Sequence, residues 1–351
     1  MRTRYKAGSI LPMKVGFVLS LVFLICPTDG FSQSARDIRK RGREDSPPEY
    51  ILARPGVILE DPAPALRNLN NGAEEFPDLH ALARERKWAE LENKAQSLLA
   101  VSDEPFLHYW LGIAHLQRND FVHAAIELRK AERLGMDAAI LSKALGIAYY
   151  GLRQYTLFRD QMEKAIKADP QNGEPYHYLG RYHELDLNDF STALSYFDQA
   201  LARNSEDVKS YHFRAVCLEM LDRRGEAEQA YRTAIEMVER QGKPYSWPFE
   251  RLALLLLGRD PELALPLARQ AVDLEPWRVE NRLVLAKTYE NLDRPQDALP
   301  VLQEAVRQKP NQRSIRYVLF RIYRKLGRPE EAARELAMHE KLKAVYGTSQ
   351  Q

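Results

Sequence analysis

The stretch LGIAYYGLRQY, residues 145–155, shares its first half with LGIAHLQRNDF, which begins at residue 111. The two copies lie 34 residues apart, and each runs through an aromatic residue or a histidine into a polar turn. A repeat of this length at a fixed offset is typical of folds that stack one supersecondary unit on the next. We therefore expect further copies of the unit along the chain.

Three tracks of small residues keep this period through most of the sequence. The first has steps of 34, 34, 35, 38 and 33 residues and consists of Gly112, Gly146, Gly180, Ala215, Ala253 and Ala286. The second consists of Ala124, Ala193, Ala227, Ala264, Ala298 and Ala332, and the third of Ala131, Ala165, Ala200, Ala234, Ala271 and Ala305. Because small side chains let two helices approach closely, each track predicts a helix contact. Prolines 170, 276 and 310 predict where second helices end.

This pattern resembles the tetratricopeptide repeat, in which each unit is a pair of antiparallel helices. The resemblance implies an all-α fold, a right-handed superhelical solenoid of about seven to eight repeats. The units fall at residues 105–138, 139–172, 173–207, 208–244, 245–278, 279–312 and 313–346, after a degenerate one at 77–99. The pattern departs from the family at Phe158, Arg214, Phe320 and His339. A longer junction at 242–248 and a shortened turn after it predict irregular stacking there.

The beginning of the chain differs from the repeats. Basic residues between positions 2 and 14 precede a short apolar run at 15–25, and small residues follow it. This order is typical of an export signal, and we expect cleavage between residues 31 and 36. An uncleaved membrane anchor is the alternative, favoured by the basic cluster at 36–43, although the run is shorter than the ~20 residues of a membrane span. We expect a periplasmic or secreted protein or, in the alternative, repeats anchored outside the cytoplasm.

Four regions follow from these observations. They are a signal peptide or anchor at 1–34, a Pro-rich and partly disordered linker at 35–73, the solenoid at 74–346 and a disordered tail at 347–351. The linker contains YILARPGVILEDPAPAL, residues 50–66, whose two apolar triplets are unusual for a linker and whose prolines disfavour a helix. We hypothesise that this segment packs on the early units. A disordered tether and a docking strand for another protein are the alternatives.

Charge and cysteine content exclude several classes of protein. Lys and Arg total 51 and Asp and Glu 49, a net charge of +2. Such a balance does not predict nucleic-acid binding, which needs a concentrated basic face. Cys26 lies in the signal, so Cys217 alone remains after cleavage, and an internal disulfide or a multi-cysteine metal site is excluded. Cys217 lies among apolar residues, which predicts a buried, inert thiol.

The sequence predicts no catalytic residues, no cofactor and no metal. It has no HExxH motif, no Gly-rich phosphate loop and no G-x-S-x-G. HELDLND at 183–189 lacks the second histidine, and His115 and His183 occupy a position that is tyrosine in other units. Core or interface histidines are therefore the better interpretation. After cleavage, about 70 residues lie outside the repeats, too few for most catalytic folds.

By resemblance, the first helix of each unit lines a concave groove. We predict that the groove binds a partner through Tyr109, Ile113, Leu116, Lys143, Ile147, Tyr150, His177, Arg181, Lys287, Arg321, Arg324 and Lys325. Its early positions are apolar, which on an exposed surface marks a binding site. The alternative is that the superhelix or the N-terminal part of the chain covers them, and that the charged positions form an ordinary solvated face. The carboxylate clamp of chaperone-binding relatives is rejected, because Ile147 stands where the clamp has asparagine.

The predicted function is a non-enzymatic scaffold that holds a peptide or a helix of a partner protein in this groove. The alternative is a structural spacer in an envelope-associated complex, contacting its partners through the convex face. The membrane is involved only through the N-terminal segment, if that segment stays uncleaved.

Overall fold

The computed structural model describes residues 76–347, and side-chain burial as far as residue 344. This range contains sixteen α-helices and no strand. In chain order they are α1 (Pro77–Arg84), α2 (Trp88–Leu99), α3 (Pro105–Gln117), α4 (Phe121–Arg133), α5 (Ala139–Gly151), α6 (Tyr155–Ala168), α7 (Glu174–Leu185), α8 (Phe190–Arg203), α9 (Val208–Met220), α10 (Arg224–Gln241), α11 (Trp247–Leu256), α12 (Pro261–Leu274), α13 (Val279–Asn291), α14 (Pro295–Gln308), α15 (Arg313–Lys325) and α16 (Pro329–Gly347). The predicted all-α solenoid of helix pairs is confirmed.

The odd-numbered helices form the inner layer of this stack. Each packs mainly on the even-numbered helix that follows it and on the even-numbered helix before it. Successive odd helices, such as α3 and α5 or α13 and α15, also contact each other directly. Elements on the concave side of a curved stack lie closest together, so the odd helices line the concave side.

The small-residue tracks are the contact points within and between units. A Cβ atom added at Gly112 would lie 2.5 Å from Cγ of Leu128, across the α3–α4 contact. Gly146 faces Met162 of α6 in the same way, and Gly180 faces the ring of Phe197 at 2.8 Å. The alanines of all three tracks are buried. Close approach of the helices therefore explains the small residues, as the sequence indicated.

A left-handed residue recurs in the turn from the first to the second helix. The residues with φ between 53° and 67° at this point are Arg86, Asn119, Arg153, Asn188, Asp222, Asp293 and Gly327. Backbone bonds close the turn, for example from the Gln154 N–H to the Tyr149 carbonyl at 2.8 Å. The unit of α11 and α12 has no such residue among those described, and its turn is the one that the sequence shortens.

A buried polar network marks the irregular junction between α10 and α11. The Ser246 N–H and hydroxyl donate to Oε2 of Glu275 at 2.9 and 2.6 Å. Arg278 donates to Oγ of Ser246 at 2.9 Å and to Oε2 of Glu250 at 2.8 Å. All four residues are buried. The long junction therefore carries an ion-paired polar core.

Several predictions fall outside the described residues. These are the signal or anchor at 1–34, the linker at 35–73 with its segment 50–66, and the last four residues of the tail. Gly347, the first residue of the predicted tail, is the last residue of α16. Within residues 76–347, none of the helices combines the length and the apolarity needed to cross a bilayer.

Candidate functional site: the inner surface of the first helices

The fifth, ninth and twelfth residues of each unit form one face of its first helix, here called the inner surface; in the last unit it includes the thirteenth residue, Lys325, as well. In α3 these are Tyr109, Ile113 and Leu116, spaced four and three residues apart, as neighbours on a helix face are. Gly112, which meets α4, is three residues from Tyr109 and four from Leu116, so this face borders the contact with α4. In α5 the same positions hold Lys143, Ile147 and Tyr150.

The early part of the inner surface is buried. Tyr109 is 3% exposed, Ile113 0% and Ile147 1%. In α5 every residue from Leu141 to Tyr150 is buried, so the helix has no exposed face over these ten residues. These positions are therefore buried rather than solvated.

Two tyrosines anchor this part of the surface. The Tyr150 hydroxyl donates to Oδ2 of Asp186 at 2.6 Å, and its ring packs edge-on against Phe158. Tyr109 packs edge-on against Trp110, with ring centroids 5.5 Å apart. Burial raises the pKa of both phenols, and the carboxylate of Asp186 raises that of Tyr150 further. Both hydroxyls therefore stay protonated, and that of Tyr150 acts as a neutral donor to Asp186.

The charges on the early and middle inner surface are paired. Lys143 forms an ion pair with Glu174 of the next unit, and Arg181 pairs with Glu184. The Arg181 guanidinium also lies 3.4 Å from the ring centroid of Phe213. Since a buried charge is tolerated only with a partner, these pairs are what let charged residues occupy a dry surface.

His177 is a neutral member of the middle inner surface. Its Nδ1 lies 2.8 Å from Oγ of Ser210, and that hydroxyl donates to Asp207 at 2.5 Å. Burial lowers the pKa of His177 to about 4, against an opposing effect of the Asp207 charge and with a further lowering by Arg181. The imidazole is therefore uncharged at neutral pH and serves as a hydrogen-bonding group.

The basic end of the inner surface is more open. Arg321 pairs with Glu290 at 2.8 Å, and Lys325 pairs with Asp293 at 3.1 Å. The Arg324 guanidinium lies 5.6 Å from the ring centroid of Phe320. These three basic residues are exposed, and Lys287 is half-buried. Two of the cations are thus partly neutralised by the preceding unit.

The acceptors and rings that hold the inner surface could not be recognised in the sequence. Asp186 accepts the hydrogen bond from Tyr150, and Glu174 pairs with Lys143. The ring of Phe213 lies against the guanidinium of Arg181. None of them belongs to a repeating track. The only available signal was an acidic residue close to a turn, which many exposed turns also contain.

Histidines and the free thiol do not form a metal site in the described part of the chain. His108 lies between Asp103 and Glu127, with contacts of 2.7 and 2.5 Å. Within residues 76–347 no group of three or more His, Cys, Asp or Glu side chains is placed to hold a metal ion. Cys217 is fully buried.

Comparison with known proteins agrees with this architecture. Models described as tetratricopeptide repeat match residues 182–244, 251–313 and 292–343. These stretches are tetratricopeptide repeats. The chain is 26% identical to the human cell division cycle protein 16 homolog over 135 residues, which make up 36% of this chain and 22% of the human protein. The chain thus spans about a fifth of that relative.

Two solved structures share the tetratricopeptide repeat solenoid over most of the chain. The APC/C hetero-tetramer Cut9–Hcn1 superposes with a TM-score of 0.61 and 17% identity, covering 86% of this chain and 57% of the other. Yeast Tom70 superposes with a TM-score of 0.57 and 16% identity, covering 89% of this chain and 70% of the other. At these identities the similarity concerns the fold alone.

Proposed function

We propose that this protein is a non-enzymatic scaffold that holds a peptide or a helix of a partner protein against the inner surface. The tetratricopeptide repeats support a role in protein–protein interaction. The finer assignment rests on one observation, the apolar row Tyr109, Ile113, Leu116, Ile147 and Tyr150 on α3 and α5. The small residues beside this row make the contact between first and second helix, and because the row itself is buried, a ligand chain would have to displace whatever covers it.

Replacing two of these anchors tests the proposal. Tyr109→Ala with Tyr150→Ala is expected to weaken partner binding by ~2 kcal/mol or more, since buried tyrosines are frequent anchors of interfaces. The partner is first captured in its native compartment through a photo-reactive amino acid at Gln117, and titration calorimetry then gives the affinity. Circular dichroism must show that the variant keeps its helices.

The matched control removes two apolar side chains from an outer helix. Val122 and Ile126 on α4 are 53% and 46% exposed, so Val122→Ala with Ile126→Ala is expected to leave binding unchanged. Undiminished binding by the folded tyrosine variant would refute the proposed binding site.

The second candidate is a spacer that contacts its partners through the convex face. Val122, Ile126 and, on α6, Leu157 support it, because these large apolar side chains are exposed on outer helices. Val122→Asp with Ile126→Asp distinguishes the two. Loss of the captured partner in this variant, with binding intact in the tyrosine variant, would favour the spacer.

We further propose that the protein is exported, on the evidence of the basic start and the apolar run at 15–25. Mass spectrometry of the protein from its native host is expected to find an N-terminus between residues 31 and 36. Substituting Leu21→Arg in the apolar run should retain the chain in the cytoplasm, whereas Asn68→Lys should not. An intact Met1 in the membrane fraction would instead support the uncleaved anchor.

A further inference from the structure

The inner surface becomes more exposed along the chain. Tyr317, Arg321, Arg324 and Lys325 of α15 are exposed, and Tyr317 is 43% exposed. Its counterpart Tyr109, at the same position of the first full unit, is 3% exposed. Tyr317 belongs to the final unit, so no further inner helix follows to cover it. Helix α13 is followed by an inner helix, and its Leu283 and Lys287 are nevertheless only half-buried. The burial therefore extends over the early and the middle units, where His177 and His212 are 8% and 1% exposed, and decreases in the last two units.

Several described helices pack against α5. It packs on α6 of its own unit, on α4 of the preceding unit and on the inner helix α3, and Lys143 pairs with Glu174 of α7. Since α4 and α6 belong to the outer layer, the concave side of α5 is the side turned away from them. Ten consecutive buried residues make almost three helical turns, so that side is covered as well. The chain outside the described residues comprises residues 1–75 and 348–351.

We propose that residues 50–66 occupy the inner surface of α3, α5 and α7 and compete there with the partner. This inference rests on the proposed function, because the covered surface is the proposed binding surface. The two apolar triplets, residues 50–52 and 57–59, match the apolar character of the row formed by Tyr109, Ile113 and Ile147. Pro55, Pro62 and Pro64 lack a backbone N–H and favour an extended chain, which suits a strap lying across helices.

The lengths of chain are compatible with this placement. Ten residues lie between Leu66 and the start of α1 at Pro77, and the eleven steps from one to the other reach at most about 36–40 Å. Packed helices lie about 8–10 Å apart, so α5, two inner helices beyond α1, is about 20 Å away. The centres of the triplets are seven residues apart, about 22 Å when extended, which is close to two helix spacings.

The full chain tests the proposal without any partner. Val57→Asp with Ile58→Asp puts charges into the second triplet, and we expect amide hydrogen exchange in α3 and α5 to accelerate about tenfold or more, since two buried aliphatic contacts are lost. Exchange in α14 should not change. Asn68→Asp with Asn70→Asp adds the same charge outside the segment and is the control. A synthetic 50–66 peptide, added to the Val57/Ile58 variant, should slow the exchange again.

A cross-link identifies the occupant. A photo-reactive amino acid in place of Ile58, in a mixture of isotopically light and heavy full-length chains, is expected to link to α3, α5 or α7 of its own chain. Links between light and heavy chains would assign the surface to a second copy and overturn the proposal. Unchanged exchange in the Val57/Ile58 variant would also overturn it. Accelerated exchange combined with full partner binding by the Tyr109/Tyr150 variant would confirm the strap and refute the proposed function.

Discussion

Arg278→Ala is expected to lower the free energy of unfolding by about 3–5 kcal/mol, the cost of removing one partner from a buried ion pair. Arg278 donates to Glu250 at 2.8 Å, and the two side chains are 9% and 11% exposed. The same guanidinium donates to Oγ of Ser246 and lies 4.4 Å from the ring centroid of Trp247. Removal of the guanidinium leaves the buried Glu250 carboxylate without the Arg278 cation beside it. Urea unfolding followed by circular dichroism measures the loss.

The control is an exposed ion pair of the same type. Arg307 pairs with Glu304 three residues earlier, and their side chains are 69% and 36% exposed. Exposed pairs contribute about 0–1 kcal/mol, so Arg307→Ala should change stability by no more than that. Equal losses in the two variants would mean that the junction between α10 and α11 is solvated, contrary to the burial of its network.

Gly112→Leu is expected to cost about 3 kcal/mol or more, at or above the upper end of the overpacking range. The new Cβ would lie 2.5 Å from Cγ and 2.7 Å from Cδ2 of Leu128, and 3.4 Å from the Ala124 carbonyl oxygen. Leu128 is fully buried, so it has no space into which to move. Denaturant unfolding should show the loss, with faster amide exchange in α3 and α4.

Gly225→Leu is the matched control for this substitution. Gly225 lies in the first turn of α10, and no heavy atom comes within 4 Å of a Cβ added there. Leucine has a higher helix propensity than glycine by up to ~1 kcal/mol, so this variant should be equal to the wild type or slightly more stable. If Gly112→Leu unfolds at the wild-type urea concentration, α3 and α4 do not meet at Gly112.

The fold could be predicted from the sequence because its determinants recur. Ala124 and Ala193 are fully buried where second helices meet their neighbours, and Gly112 and Gly180 lie where inner helices meet outer ones. A contact made in every unit leaves the same small residue in every unit, so a single sequence already shows the same constraint many times.

The state of the inner surface could not be predicted in this way. The sequence placed Tyr109 and Ile147 on it but left open whether water, a partner or the chain itself covers them. Both are buried. Burial depends on everything that packs against a residue, including chain that is remote in sequence, and no local pattern reports it.

The sequence by itself determined the helix pairs, their period and the side of each helix that meets its partner. Those features depend on residues three, four or 34 apart, which a linear pattern shows directly. Only the tertiary structure decided which charged groups and hydroxyls have an ion-pair or hydrogen-bond partner, and which residue that partner is. The partners are far apart in sequence: the separation is 36 residues for Tyr150 and Asp186, 31 for Lys143 and Glu174, and 28 for Arg278 and Glu250. These separations follow no common period, because each pair forms where the stacking of two units happens to bring its atoms together.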